Sequence, residues 1–163
     1  MLAAGTAMTS ERVEAFWREY LDTIPAGHTH RRARPAVFAF GDSPSLADEL
    51  AALVAAGRKR ATTSLPIELT ADGAPVPGDV AIVTCADGTP AAVIEYVEVR
   101  HVPFHAVDGA YAAVEGEGDG SLAWWRAAHR AYFARVGARS GVAFDEGTIV
   151  VCQRFDVLWP PRP

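Results

Sequence analysis

Fifteen basic side chains are spread over 163 residues, and only one of them, Lys59, is a lysine. An ammonium differs from a guanidinium in one respect that matters for chemistry. Burial can bring its pKa near neutrality, so a lysine can work as a general base where an arginine stays charged. Lys59 lies in "AAGRKRATTSL" (residues 55–65), just past the glycine that closes a helical pattern, and Thr62 supplies a hydroxyl three residues later. A neutral amine beside a hydroxyl is the pair in which lysine takes the proton and threonine attacks a carbonyl. In an extended strand these two positions do not share a face, so a turn has to bring them together. Thr62 and Thr63 also suit a strand on propensity alone.

Carboxylates offer a second group. Glu115 and Glu117 stand with Asp119 in the glycine-rich "EGEGDG" that precedes a tryptophan-bearing helical pattern. Acids this close raise one another's pKa, so one of them can serve as a general acid or base; the same composition also describes a solvated acidic loop. Trp124 falls off the inward stripe of its helix, which leaves it exposed or lining a pocket where a flat base stacks. Arg58 and Arg60 flank the lysine, and Asp42 and Ser43 are most economically helix-capping groups.

Other signatures are missing. "GEGDG" lacks the Lys-Ser/Thr of a phosphate loop and carries carboxylates where phosphate would be repelled. The five histidines show neither HExxH nor paired ligand spacing, and there is no nucleophile elbow. A metal hydrolase or an α/β-hydrolase is not indicated, and neither a metal nor a cofactor is called for.

The elements that must position these residues are legible. "TSERVEAFWREYLDTI" spaces Val13, Phe16, Trp17, Tyr20 and Leu21 as an amphipathic helix over about residues 9–24, with Thr9 or Ser10 as its N-cap. "PAGHTHRRARP" reads as a loop and "AVFAF" as a short buried strand. "GDSPSLADELAALVAAG" predicts a helix capped by Ser43 or Ser45, started by Pro44, ended by Gly57 and striped by Leu46, Leu50, Leu53 and Val54. "RATTSL" turns strand-like, and a hairpin about Asp87-Gly88 follows, its strands expected at the centre of the sheet. Leu122, Trp125, His129, Tyr132, Phe133 and Val136 form the inward stripe of a later helix; "TIVVCQRFDVLW" is a last strand, and "PPRP" is expected to trail in the open. Helices and strands alternate without a regular βαβ repeat, which predicts a single α+β domain with a mostly antiparallel, barrel-like sheet.

Composition narrows the partners. A net charge of −5 argues against a long polyanion bound over a broad surface, although a small site can still be basic. Cys85 and Cys152 sit far apart in apolar runs without zinc spacing, so buried reduced thiols are expected. No signal-peptide pattern and no run of about eighteen apolar residues is present, which places the expectation in the cytoplasm.

Several segments together resemble a known family. "FAFGDSPSLADELAALVAAGRKRATTS", "VPGDVAIV", "VEVRHVPFHAV", "AYAAVEGEGDGSLAWWRAAHRAYF" and "VVCQRFDVLW" are similar, in order and spacing, to the ASCH (ASC-1 homology) domain of the PUA-like superfamily, in its bacterial stand-alone form, over residues 36–159. The resemblance implies a small PUA-like β-barrel with flanking helices and a cleft bearing a GxKxxT segment. It also implies a metal-independent amidohydrolase on a small acylated nucleoside such as N4-acetylcytidine, with Lys59, Thr62 and Glu115 as its lysine, threonine and glutamate. Arg58, Arg60, Trp124 and Asp42 are then candidates for substrate contact. Alternatives are a ribonuclease on single-stranded RNA and a non-catalytic RNA- or nucleotide-binding module. Two positions depart from the family pattern: Arg60 stands where threonine is common, which would favour an anionic ligand, and Gln153 stands where a carboxylate is usual, which lowers local negative charge.

Overall fold

The computed structural model describes residues 3–69 and 73–160, with side chains from Ser10 onward. The terminal residues 161–163, expected in the open, lie outside them. Helix α1 (Ala3–Asp22) is followed by β1 (Ala36–Phe38), α2 (Pro44–Ala55), β2 (Ala61–Ser64), β3 (Val80–Thr84), β4 (Pro90–Pro103), α3 (Gly109–Glu115), α4 (Leu122–Ser140) and β5 (Ile149–Trp159). The strands hydrogen-bond in the order β1-β3-β4-β5-β2. β1 runs parallel to β3, whereas β3 with β4 and β2 with β5 are antiparallel. This is an α+β fold with an open mixed sheet, not the closed barrel expected from the sequence. Closure would need its two edges to pair with a consistent stagger. Those edges are β1, of three residues, and β2, of four.

Packing divides the chain into two compact units. The first comprises the described residues within 1–57, 78–95 and 156–163. Its core joins Tyr20, Ile82 and Val93, with Val13, Phe16, Trp17 and Leu21 of the anticipated α1 stripe packed against them. α1 itself begins at Ala3, so Thr9 and Ser10 are helical residues and not its cap. β1 is an edge strand: Ala36 and Val37 are exposed, so the apolar run "AVFAF" is not the buried strand expected. α2 obeys its punctuation. The Ser43 side chain accepts from the Leu46 N–H at 3.3 Å, and Gly57 takes a φ of +68° and closes the helix. Its buried stripe is Ala47, Leu50, Ala51 and Val54, rotated from the expected one because the small alanines face inward. The hairpin turn lies at Asp87-Gly88, where Cys85 N–H donates to the Thr89 carbonyl at 2.8 Å. Both cysteines are free, Cys152 buried and Cys85 half-buried.

The second unit, residues 58–77 and 96–155, contains the candidate residues Lys59, Thr62 and Glu115. Its core is built from Leu65, Phe104, Tyr111, Trp125, Phe133 and Cys152 with their neighbours. In the β2/β5 ladder Thr62 faces Gln153 and Thr63 faces Cys152. Successive strand residues alternate sides, so Thr63 and Cys152 share the face packed on the helices while Thr62 and Gln153 share the other. α3 starts at an Asp108 cap bonded to Tyr111 N–H at 2.8 Å, and α4 at a Ser121 cap bonded to Trp124 N–H at 3.1 Å. Among the described residues no helix is long and apolar enough to cross a membrane.

Candidate active site: a buried lysine between two carboxylates

Lys59 is turned inward by the backbone on its C-terminal side. Arg60 N–H donates to the Val114 carbonyl of α3 at 3.0 Å, and the Arg60 carbonyl accepts from Phe155 N–H of β5 at 3.0 Å. Arg60 is exposed on this extended segment, and the preceding side chain turns to the opposite side, where Lys59 is 0 % exposed. Glu115 arrives at the same place as the last residue of α3. Gly116 then turns the chain with a φ of +68°, and a Cβ there would collide with the Arg58 carbonyl oxygen. Glycine is required at this point both for the left-handed backbone and for the close approach that sets Glu115 against Lys59.

Glu115 is the hub. Its Oε1 accepts from Lys59 Nζ at 3.3 Å, Thr63 N–H at 3.1 Å and His129 Nε2 at 3.2 Å. Its Oε2 accepts from the Thr63 hydroxyl at 3.0 Å and from Trp125 Nε1 at 2.6 Å. A carboxylate taken out of water without partners is costly, and five donors supply what the lost water gave. Lys59 also donates to Glu117, which reaches in from the glycine-rich loop. Trp124 lies outside that loop, with its ring so close over Gly118 that no side chain would fit there.

Charge sets the protonation states. Burial alone would raise the Glu115 carboxyl, but the Lys59 ammonium and then His129 outweigh it and hold Glu115 well below the ordinary carboxylate range. Burial would likewise lower Lys59, and the two carboxylates reverse that and keep it charged above its usual value. His129 follows the same rule: burial pulls it down, and the Glu115 carboxylate on the ring, with Glu117 beyond it, together raise it above its ordinary value. The expectation that neighbouring acids would push one another up is therefore corrected. For Glu115 the Lys59 ammonium beside it reverses the sign. The expectation of a lysine made neutral by desolvation is corrected for the resting site for the same reason.

Behind the hub lies a second layer. Tyr111 Oη donates to the Thr62 carbonyl at 2.6 Å and accepts from Gln153 N–H at 3.1 Å, which ties β2 and β5 to α3. Burial keeps this phenol protonated. The Cys152 thiol is pushed up to about 11, chiefly by burial, so it is no nucleophile. Glu115, Glu117 and His129 each offer one ligand atom within 4.8 Å of the others, a spacing a divalent ion could bridge. The Lys59 ammonium already bridges the two carboxylates and supplies a cation there.

The family model of the ASCH domain matches residues 36–159. The chain belongs to the ASCH-domain family. A crystal structure of an ASCH domain from Lactobacillus crispatus is similar at a TM-score of 0.83 and 33% identity, covering 91% of this chain and 94% of that one. Protein EF3133 of Enterococcus faecalis is similar at a TM-score of 0.75 and 29% identity, covering 90% of this chain and 92% of that one. No curated protein matches the sequence.

In this ASCH domain the structure joins Lys59 with Glu115 and Glu117. The hydroxyl bound to Glu115 belongs to Thr63, while Thr62 shares the opposite face of β2 with Gln153, and Gln153 donates to Ser64 Oγ at 3.2 Å. Arg58 and Arg60 are exposed on either side of the buried lysine. Trp124 is 37% exposed, in keeping with a position off the stripe. Asp42 belongs to the first unit, directly before the Ser43 cap. Sequence reasoning missed four members of the cluster around Glu115: Thr63, Tyr111, Trp125 and His129. The available signal was polar tips on an otherwise apolar stripe, since a buried imidazole or indole N–H needs an acceptor.

Proposed function

We propose that the protein is an amidohydrolase acting on a small acylated nucleoside of the N4-acetylcytidine kind. The observation that carries the reading is the fully buried Lys59, the sole lysine of the chain, held between Glu115 and Glu117. A buried ion pair is a poor source of stability, since packed apolar side chains of similar volume do as well or better. Such a cluster in a family of proposed hydrolases and RNA binders is better understood as chemical machinery. The acidic net charge also suits a small neutral ligand over a long RNA.

In this reading Thr62 is the nucleophile and Lys59 the proton carrier. That requires the segment from Lys59 to Thr62 to turn on substrate binding, because the strand register sets Thr62 on the face of β2 opposite Glu115. Because the resting lysine is an ammonium, it first passes a proton to Glu117, the less buried of its two carboxylates. The free amine then takes the Thr62 hydroxyl proton as Oγ attacks the acyl carbonyl. When the C–N bond breaks, the leaving amine recovers that proton from Lys59, and an acyl ester remains on Thr62. Water hydrolyses the ester, the carboxylic acid departs, and Glu117 returns its proton. Glu115 stays ionised throughout and orients the lysine. Arg58 and Arg60 flank the lysine as exposed side chains, and Trp124, partly exposed, offers a ring on which a base stacks.

The test is release of cytidine from N4-acetylcytidine with chelator present, comparing the wild type with Lys59→Arg, Thr62→Ala and Thr63→Val. Turnover lost in the first two variants supports the reading. Loss in Thr63→Val with Thr62→Ala active transfers the attack to the hydroxyl on Glu115. No turnover over a broad set of acyl nucleosides overturns the reading and leaves binding or cleavage of single-stranded RNA, which would weaken steeply with salt.

A further inference from the structure

We infer that His129 is a positioning residue of the Lys59 centre: it stands as an imidazolium on Glu115 and, as a second cation on the same carboxylate oxygen, loosens the hold of that carboxylate on the Lys59 proton. The proton-carrier role of Lys59 rests on the amidohydrolase reading; the charge of His129 and its coupling to Lys59 do not.

The geometry of the ring carries the inference. Nδ1 lies 3.0 Å from the Trp125 carbonyl oxygen and Nε2 lies 3.2 Å from Glu115 Oε1. Both partners only accept. A neutral imidazole has one N–H and would set a lone pair against one of these oxygens, whereas an imidazolium satisfies both. The ring is held in place, stacked on Trp125 at 4.2 Å and 17° and flanked by Phe133 at 5.7 Å. It is 7 % exposed, so water does not substitute for either bond.

Charge balance points the same way. The ionisable groups acting on His129 are Glu115 at the end of α3, Glu117 on the loop after it and Lys59 ahead of β2. Two carboxylates and one ammonium leave a buried net charge of about −1, which an imidazolium cancels. His129 and Lys59 then compete for one oxygen, Oε1, at 3.2 and 3.3 Å. Each cation lowers the proton affinity of the other, and by linkage the two effects are equal. Removing His129 takes a competing cation off Glu115 Oε1, so the Lys59 ammonium becomes harder to deprotonate.

The experiment exploits the single lysine, because lysine labelled at Cε gives one resonance. In the wild type, nitrogen NMR of labelled histidine is expected to show both ring nitrogens of His129 protonated at about pH 7, a state one-sided tautomers do not produce. In His129→Gln, which keeps a neutral donor toward Glu115, the Lys59 midpoint is expected to rise by about one unit, the scale of one neighbouring charge. Lys59→Met is expected to raise the His129 midpoint in return. The acidic limb of any hydrolytic pH profile, along which the Lys59 amine is freed, should move up with the Lys59 midpoint in His129→Gln. An unprotonated His129 nitrogen at neutral pH, or an unmoved Lys59 midpoint in folded His129→Gln, overturns the inference. If the NMR arms hold and no acyl nucleoside is turned over, the inference stands and the amidohydrolase reading fails.

Discussion

Two histidines of this chain are almost equally buried, His30 at 5% exposure and His129 at 7%, yet their surroundings push them in opposite directions. His30, in the first unit, accepts at Nδ1 from the Tyr20 hydroxyl at 2.7 Å and has Glu95 3.8 Å from Nε2. Burial lowers its pKa, and Glu95 only partly offsets this. His129 has Glu115 at hydrogen-bond distance with almost no exposed surface, and its pKa rises. Equal burial therefore does not fix the charge of an imidazole. What decides is whether a carboxylate is as buried as the ring, because Coulombic attraction strengthens where water is excluded while a partner in contact with solvent is screened. Glu95, with a third of its side chain exposed, is such a screened partner. The Tyr20 pair fastens a loop to a helix; the Glu115 cluster concentrates charge where chemistry can use it.

The largest effect that would break this contrast is loss of the hub. Glu115→Ala leaves Lys59 and His129 without their shared counter-ion and strips an acceptor from Thr63 and Trp125. Removing one side of a buried charge pair costs about 3–5 kcal/mol, so denaturation by urea should show a stability loss on that scale. His129 should then titrate below its ordinary value, like His30. A His129 that stays raised in this variant would show that Glu115 is not the cause.

Next in size is the pH dependence, where the two rings predict slopes of opposite sign. For His129 the folded pKa is raised above 6.5, so its contribution to stability is complete below that value and is lost as pH rises through the folded pKa. For His30 the folded pKa is lowered. The unfolded chain binds the proton first, and stability falls as pH drops below 6.5 toward the folded pKa. Urea midpoints measured from about pH 5 to 8 should lose the alkaline fall in His129→Gln and the acid fall in His30→Gln. Parallel slopes in the two variants would mean that burial alone governs both rings.

How much of this could be read from the sequence differs along the same line. Local chemistry was legible: Ser43, Pro44 and Gly57 delimit α2, Asp87-Gly88 makes its turn, and the solitary Lys59 and Glu115, both singled out, meet in the buried cluster. What depended on distant pairing was not. Whether Thr62 or Thr63 meets Glu115 is a one-residue question of strand face, settled only by the register of β2 on β5. Closure of the sheet depends in the same way on whether β1 and β2 meet. His129 was visible as part of an inward stripe, but a stripe does not say that the ring reaches past Trp125 to a carboxylate from another helix. His30 was hidden in a run of turn formers and arginines, where nothing in the spacing announces a buried side chain.

The smallest expected effect sharpens the quiet half of the contrast. Tyr20→Phe removes the hydroxyl that meets His30 Nδ1, at little cost in buried area, and leaves the ring nitrogen to Glu95 and its backbone surroundings. Loss of one buried neutral hydrogen bond costs about 1 kcal/mol, a shift of a few degrees in Tm for a domain of this size. The informative quantity is the His30 titration in that variant. With the phenol proton gone, Nδ1 is free to take a proton of its own, so the midpoint should climb toward the ordinary histidine value while that of His129 stays where it was. If instead the His30 midpoint is unmoved, the Tyr20 hydroxyl plays no part in keeping that ring neutral, and burial by the α1 core accounts for the whole of its depression.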